Sequence, residues 1–196
     1  MDLENAARQS GVIPPENVAP LLSRLSEAPD FNWLLTQPHK TQARLQGDLL
    51  DDFPLALVGP DGSPRCKRFT VLVLNNTCDL QPLRSEFVTV APVFSFSDFS
   101  RFIREKRGEN RAANYLADVK RNKVFELLWL PPFGPFSSGA VVYLDRIGAV
   151  ASSIYESAIA ASKRFASFSQ SGFYFLLIKL TKHLARPESE EVLRHS

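Results

Sequence analysis

The chain has 196 residues, 44% of them hydrophobic and 22% charged, which suits one domain of ordinary size and excludes wholesale disorder. A formal net charge of +2 is no global sign of a nucleic-acid binder. Two cysteines exclude a disulfide framework, and no apolar run approaches the roughly 20 residues that cross a bilayer.

The opening MDLENAARQS lacks the basic start and apolar stretch of a secretory signal, so a cytoplasmic setting with reduced thiols and no membrane partner is expected. Residues 1–46 are expected to form an N-terminal helical extension. PPENVAPLLSRLSEA opens with prolines and carries Val18, Leu21, Leu22 and Leu25 at helical spacing. FNWLLTQPHKTQARL follows as a second helix broken at Pro38, with Trp33, Leu34 and Leu35 as its buried contribution.

The pattern changes at Gly47-Asp48, where the main domain, residues 47–186, is expected to begin. Two apolar runs, Leu55–Val58 and Phe69–Leu74, flank GPDGSP, a hairpin or loop signal. Glu86–Phe96 predicts a third strand, stopped or pushed to an edge by Pro92. Lys123–Phe133 predicts a fourth and Ala140–Val150 a fifth. Short strands without intervening helices of βαβ length argue for an antiparallel sheet or small barrel.

An insertion at about 98–122 separates the third and fourth strands. From Arg101 to Lys123 it holds eight bases against Glu105, Glu109 and Asp118. Its apolar residues (Phe99, Phe102, Ile103, Tyr115, Leu116, Val119) recur at helical intervals around Gly108, so two short helices are expected. Such a face is either solvated or a contact for nucleic acid or an acidic partner. A final helix begins at Ser167 or Ser169 as N-cap, with Phe173, Leu177, Leu180 and Leu184 along one face. Residues 187–196 are expected to be a frayed tail.

The GD that opens the first strand, TCD, VAPV, WLPP, VYLDRI and KRFASFSQ follow one another in an order that resembles a divergent bacterial branch of the MazF/PemK-like family. The resemblance covers roughly residues 47–185. It implies a mainly β fold with added helices (α+β), namely a small SH3-like barrel carrying the N-terminal extension, the basic insertion and the C-terminal helix. Family members are dimeric endoribonucleases that act on single-stranded RNA without metal or cofactor. The basic residue at the start of their second main strand falls on Arg68 (or Lys67) of KRFTVLVLN. The hydroxyl expected after the AP of the next strand falls on Phe94, with Ser95 one residue on. A one-residue step along a strand turns a side chain to the opposite face, so the catalytic pair is incomplete unless a bulge restores Ser95.

The corner NNTCDL, where the most apolar strand stops, admits two readings. Asn75, Asn76 and Asp79 cap a strand-to-loop turn with Cys78 as a small buried apolar residue, or Asp79 and Cys78 line a site. A cysteine nucleophile needs a nearby histidine, and His39, His183 and His195 lie in no recognisable motif. Asp48, Asp51 and Asp52 cluster without the downstream carboxylates of a metal nuclease, so no metal is expected. Asp145 and Arg146 are expected to pair with each other, or Arg146 with Glu126.

The leading expectation is a toxin-like or defence-associated RNA-binding protein. As a candidate endoribonuclease it would use Arg68 to steady the phosphorane and Asp79 or Ser95 to assist. Arg65, Lys67, Arg104, Arg107, Arg111, Lys120 and Arg121 are its candidate RNA contacts. Expected partners are single-stranded RNA, a cognate antitoxin or other protein, and a second copy of the chain. The alternative is a non-catalytic module of the same fold that engages a protein partner. The two differ in one respect: an enzyme gathers Arg68, Asp79 and Ser95 around one groove.

Overall fold

A computed structural model describes residues 8, 11, 13–28, 30–38, 43–59, 61–82 and 84–184. The first helix, α1, spans Pro15–Leu25 and buries Leu21 and Leu25, matching the spacing of its apolar residues. FNWLL, expected as helix, makes a 3₁₀ turn (Asn32–Leu34) that runs straight into a two-residue strand, β1 (Leu35–Thr36). His39 and the tail beyond residue 184, with His195, lie outside the described residues.

Strands β2 (Leu49–Val58), β3 (Pro64–Val73) and β4 (Phe87–Ser95) follow. The chain then enters the expected helical pair, α2 (Phe96–Arg107) and α3 (Glu109–Lys120), with Gly108 at φ 76° between them. Such a positive φ suits a residue without Cβ and stops α2. Next come β5 (Leu127–Leu130), β6 (Ala140–Tyr143), β7 (Gly148–Ala151), α4 (Ser152–Ala160), β8 (Arg164–Phe168) and α5 (Gln170–Leu184).

The fold is α+β. The described residues build one antiparallel sheet of eight strands, in the order β1-β8-β2-β3-β4-β6-β5, with β7 paired to β4. The expected barrel is not there, because the end strands β1 and β5 do not pair with each other. The outer edge of β5 is occupied by a side chain instead of a strand. Asn122 accepts the Trp129 N–H at 2.8 Å and donates to the Trp129 carbonyl at 3.1 Å, so its amide stands in for a neighbouring strand.

Three further expectations need correction. Pro92 neither ends β4 nor pushes it to an edge. Residues 87–90 of β4 pair with β7 and residues 93–95 with β6, so the missing N–H falls where the ladder changes partner. That same change of partner splits the expected Ala140–Val150 strand into β6 and β7. The segment Arg164–Phe168, which takes in the Ser167 start expected for the last helix, is a strand because it lies between β1 and β2, with Leu35 opposite Phe168 and Leu49 opposite Ala166. The helix begins after it, where Ser169 Oγ accepts the Gly172 N–H at 3.0 Å, the cap expected for α5.

Both faces of the sheet are covered. Leu72 and Leu74 join a large core with α1, α2, α3 and α5, whereas Val71 and Val73 join a smaller one with Tyr155 and Ala158 of α4. Side chains alternate between faces along a strand. A strand buried on both sides therefore reads as the unbroken apolar run FTVLVL.

Candidate functional site

At the corner after β3, most polar groups are committed to the fold. Thr77 Oγ1 accepts the Gln46 N–H at 3.1 Å, and the Gln46 side chain returns to the Leu74 carbonyl at 2.7 Å. Asn75 Oδ1 accepts the Thr89 N–H, and Asn76 O accepts the Asp79 N–H at 2.9 Å. The corner is thus a turn whose amides tie β4 to the segment before β2. Cys78, read from the sequence as a buried apolar residue, is exposed, as is Cys66. No histidine among the described residues is hydrogen-bonded to Cys78, and His183 sits half-buried in the last turn of α5. The Asp79 carboxylate is exposed on the wall of a cavity of about 670 Å³, shared with Leu80, Arg84, Glu86, Tyr155 and Glu156.

Arg68 stands elsewhere. Its Nε donates to Asp52 Oδ1 and its Nη2 to the Asp52 carbonyl at 2.7 Å, while Lys163 Nζ reaches Asp52 Oδ2. Asp52 occupies a bulge in β2 at φ 50°, a conformation that Asp tolerates better than most residues. The Arg68 hydrogen bond, seconded by Lys163, holds its carboxyl down at about 2. These three residues line a second cavity, of about 340 Å³, closed on the other side by Ser153, Ile154 and Ser157 of α4.

Ser95 lines neither cavity. It is the N-cap of α2, accepting the Asp98 N–H at 3.1 Å and donating to Asp98 Oδ2 at 2.7 Å. Phe94, where the family resemblance expects a hydroxyl, packs its ring against Phe69 (5.7 Å) and Tyr143 (5.2 Å). Arg68 and Asp79 thus line different cavities, and the Ser95 hydroxyl is committed to the start of α2.

The three aspartates at the start of β2 diverge as well. Asp51 accepts Thr70 Oγ1 at 2.8 Å, Asp52 faces its two cations, and Asp48 is fully buried. Asp48 accepts from Ser167 Oγ at 2.6 Å, from Arg164 at 3.1 Å and from the Leu45 N–H at 3.1 Å. No three His, Cys, Asp or Glu residues among the described ones are grouped to hold a metal. Arg146 pairs with neither Asp145 nor Glu126; its guanidinium lies 4.4 Å from the Tyr143 ring centre.

The α2–α3 hairpin carries the basic surface read from the sequence. Two of its cations are neutralised: Arg101 by Asp98 at 2.6 Å and Arg104 by Glu109 at 3.2 Å. Arg107 lies over Tyr115 at 3.9 Å, Lys120 over Phe96 at 4.9 Å and Lys106 over Phe102 at 5.9 Å. Lys106, Arg107, Arg111, Lys120, Arg121 and Lys123 are exposed, and no carboxylate among the described residues pairs with them. Phe102 is 53% exposed, whereas Phe99 and Ile103 are buried. On β3, Arg65 pairs with Asp61 at 3.1 Å, and Lys67 is exposed.

Sequence reasoning missed Lys163 as the partner of Asp52, since 111 positions separate them and nothing local links them. It also missed Lys179, buried in α5. No helix among the described residues is long and apolar enough to cross a membrane. Set against known proteins, the chain matches no family model and no curated protein.

Proposed function

We propose that the protein binds single-stranded RNA through the α2–α3 hairpin and does so without cleaving it. The observation that carries this reading is the hairpin surface: six exposed cations without carboxylate partners among the described residues, and an exposed Phe102 ring with Lys106 5.9 Å from its centre. Cations neutralise backbone phosphates, and an exposed ring offers a platform on which a base can stack. Arg68 and Asp79 line different cavities and the Ser95 hydroxyl caps α2, which favours binding over scission, because transition-state stabilisation needs its groups free and within reach of one phosphate. The MazF/PemK-like motif order is compatible with RNA as the ligand, but fold likeness does not transmit an activity.

The test is anisotropy of a fluorescent single-stranded RNA at rising salt. If five cations each neutralise one phosphate, affinity falls roughly 100-fold between 50 and 200 mM salt, from a slope of about −0.7 per contact. Reversing Arg111 and Lys120 to glutamate should flatten that slope and weaken binding. Equal binding by this variant would refute the hairpin as the contact. Binding of a protein and not of RNA would favour the partner-binding alternative.

A further inference from the structure

The cavity between the β2 bulge and α4 has the features of a ligand site, and it is independent of the hairpin. Arg68 and Lys163 come from distant parts of the chain and converge on one carboxylate, that of Asp52. Two of the three non-glycine residues with positive φ among the described residues are here: Asp52 at 50° and Ser162 at 55°, next to Lys163. Strained backbone of this kind persists only where the surroundings fix it, and it gathers at functional positions. The surroundings do fix it. Lys163 N–H donates to the Ala158 carbonyl at 3.0 Å, and the Lys163 carbonyl accepts the Asp51 N–H at 3.0 Å.

The donors here outnumber what Asp52 uses. A guanidinium has five N–H groups and an ammonium three. Arg68 spends its Nε and Nη2 on Asp52, and Lys163 spends one donor on the same carboxylate. Arg68 and Lys163, together with Ser153 and Ser157, line the cavity of about 340 Å³, and the Ser157 hydroxyl spends its proton on the Ser153 carbonyl at 2.8 Å. Two cations and one carboxylate leave the site one positive charge in excess. Both ion pairs are substantially exposed, with Arg68 58% and Asp52 46% accessible, and exposed pairs of this kind are weak and readily exchanged.

The geometry points to a self-occluded anion site: Arg68 and Lys163 bind a phosphate group, and the Asp52 carboxylate competes with it as a built-in substitute. The phosphate could belong to a small phosphorylated molecule or to an RNA end, since the donor set reads the same oxygens in both.

The first experiment titrates inorganic phosphate into the wild-type protein and Asp52→Asn by ³¹P NMR. Asparagine keeps the shape and tolerates the positive φ, so the variant removes the competing charge alone. Phosphate should bind Asp52→Asn at least tenfold tighter than wild type, and adding Lys163→Ala or Arg68→Ala should abolish the gain. A 5′-phosphorylated RNA decamer and its dephosphorylated counterpart identify the source. Tighter binding of the phosphorylated decamer assigns an RNA end, and equal binding assigns a small phosphorylated ligand. Should Asp52→Asn fail to fold, Asp52→Gly, which meets the positive φ without strain, is held to the same criteria. A folded variant with unchanged phosphate affinity, or a gain that survives Lys163→Ala, overturns the proposal.

Discussion

The ammonium group of Lys179 in α5 donates to the Asn122 carbonyl at 3.1 Å and to the Val124 carbonyl at 2.5 Å. It thereby fastens the C-terminal helix to the segment by which the basic hairpin returns to the sheet. Asn122 itself is buried at φ 55° and closes the edge of β5 through its side chain. One lysine and one asparagine therefore anchor the base of the candidate RNA-binding surface.

Lys179 is 1% exposed, and burial lowers its pKa to about 7, against a smaller opposing effect from Glu126. The folded chain then binds fewer protons than the unfolded chain between about pH 7 and the ordinary lysine value of 10.5. Stability must rise with pH across that window, by at most about 1.4 kcal/mol per pH unit from this group. Below pH 7 the full penalty of burying a charged ammonium is present. Urea unfolding at pH 6 to 9 should show this slope in the wild-type protein and a smaller one in Lys179→Met. Parallel pH profiles for the two proteins would refute the assignment.

Asp48 presents a different balance. Its carboxylate is fully buried and satisfied by Ser167, Arg164 and the Leu45 N–H. Removing it leaves Arg164, whose side chain is only 11% exposed, without this counter-charge. Breaking one partner out of a buried pair costs about 3–5 kcal/mol. Asp48→Ala should therefore lose about that much in chemical denaturation, and Asp48→Asn less, since the amide keeps an acceptor for Ser167. A loss below about 1 kcal/mol for Asp48→Ala would mean that the network is dispensable.

The acid limb of the stability profile should report on Asp52. Its carboxyl is held at about 2, first by the Arg68 hydrogen bond and then by Lys163. A depressed carboxylate contributes fully above its unfolded value near 4 and loses that contribution as pH falls through about 2. NMR titration of the Asp52 side chain should place its midpoint near 2 in the wild-type protein. In Arg68→Ala it should move up towards the ordinary aspartate range, and further in the double variant with Lys163→Ala. An unchanged midpoint would mean that the ion pairs do not persist in solution.

The features that could be read in advance were those carried by local pattern. The apolar run of β3, the Gly108 break between two amphipathic helices and the Ser169 cap each lie within a dozen residues of sequence. What stayed hidden depends on distant partners. Arg164–Phe168 is a strand because Leu35 and Leu49 offer it edges, and its own residues carry no strong strand signal. Ser95 is one residue from the position that family likeness would assign to catalysis, yet Asp98 engages its hydroxyl at the start of a helix. The open sheet was equally illegible, since a single asparagine amide caps the edge that a barrel would have closed. The candidate site divides in the same way: the basic hairpin is visible as composition, whereas the meeting of Asp52 with Lys163 exists only in the folded chain.

Phe99 and Phe102 lie on the same helix and allow charge, packing and stacking to be told apart. Phe99 is buried against Phe96 and Tyr143 at 6.2 and 6.0 Å between ring centres, whereas Phe102 is exposed beside Lys106. Phe99→Ala should cost about 3–5 kcal/mol of stability by leaving a cavity. Phe102→Ala should change stability by no more than about 0.5 kcal/mol, as surface substitutions do. If Phe102 is the platform for an RNA base, its removal should weaken binding by about 1–3 kcal/mol. It should do so without altering the salt slope, because no charge is lost. Paired thermal melts and anisotropy titrations separate these effects. Full RNA affinity in Phe102→Ala would remove stacking from the binding mode and leave the hairpin cations to account for all of it.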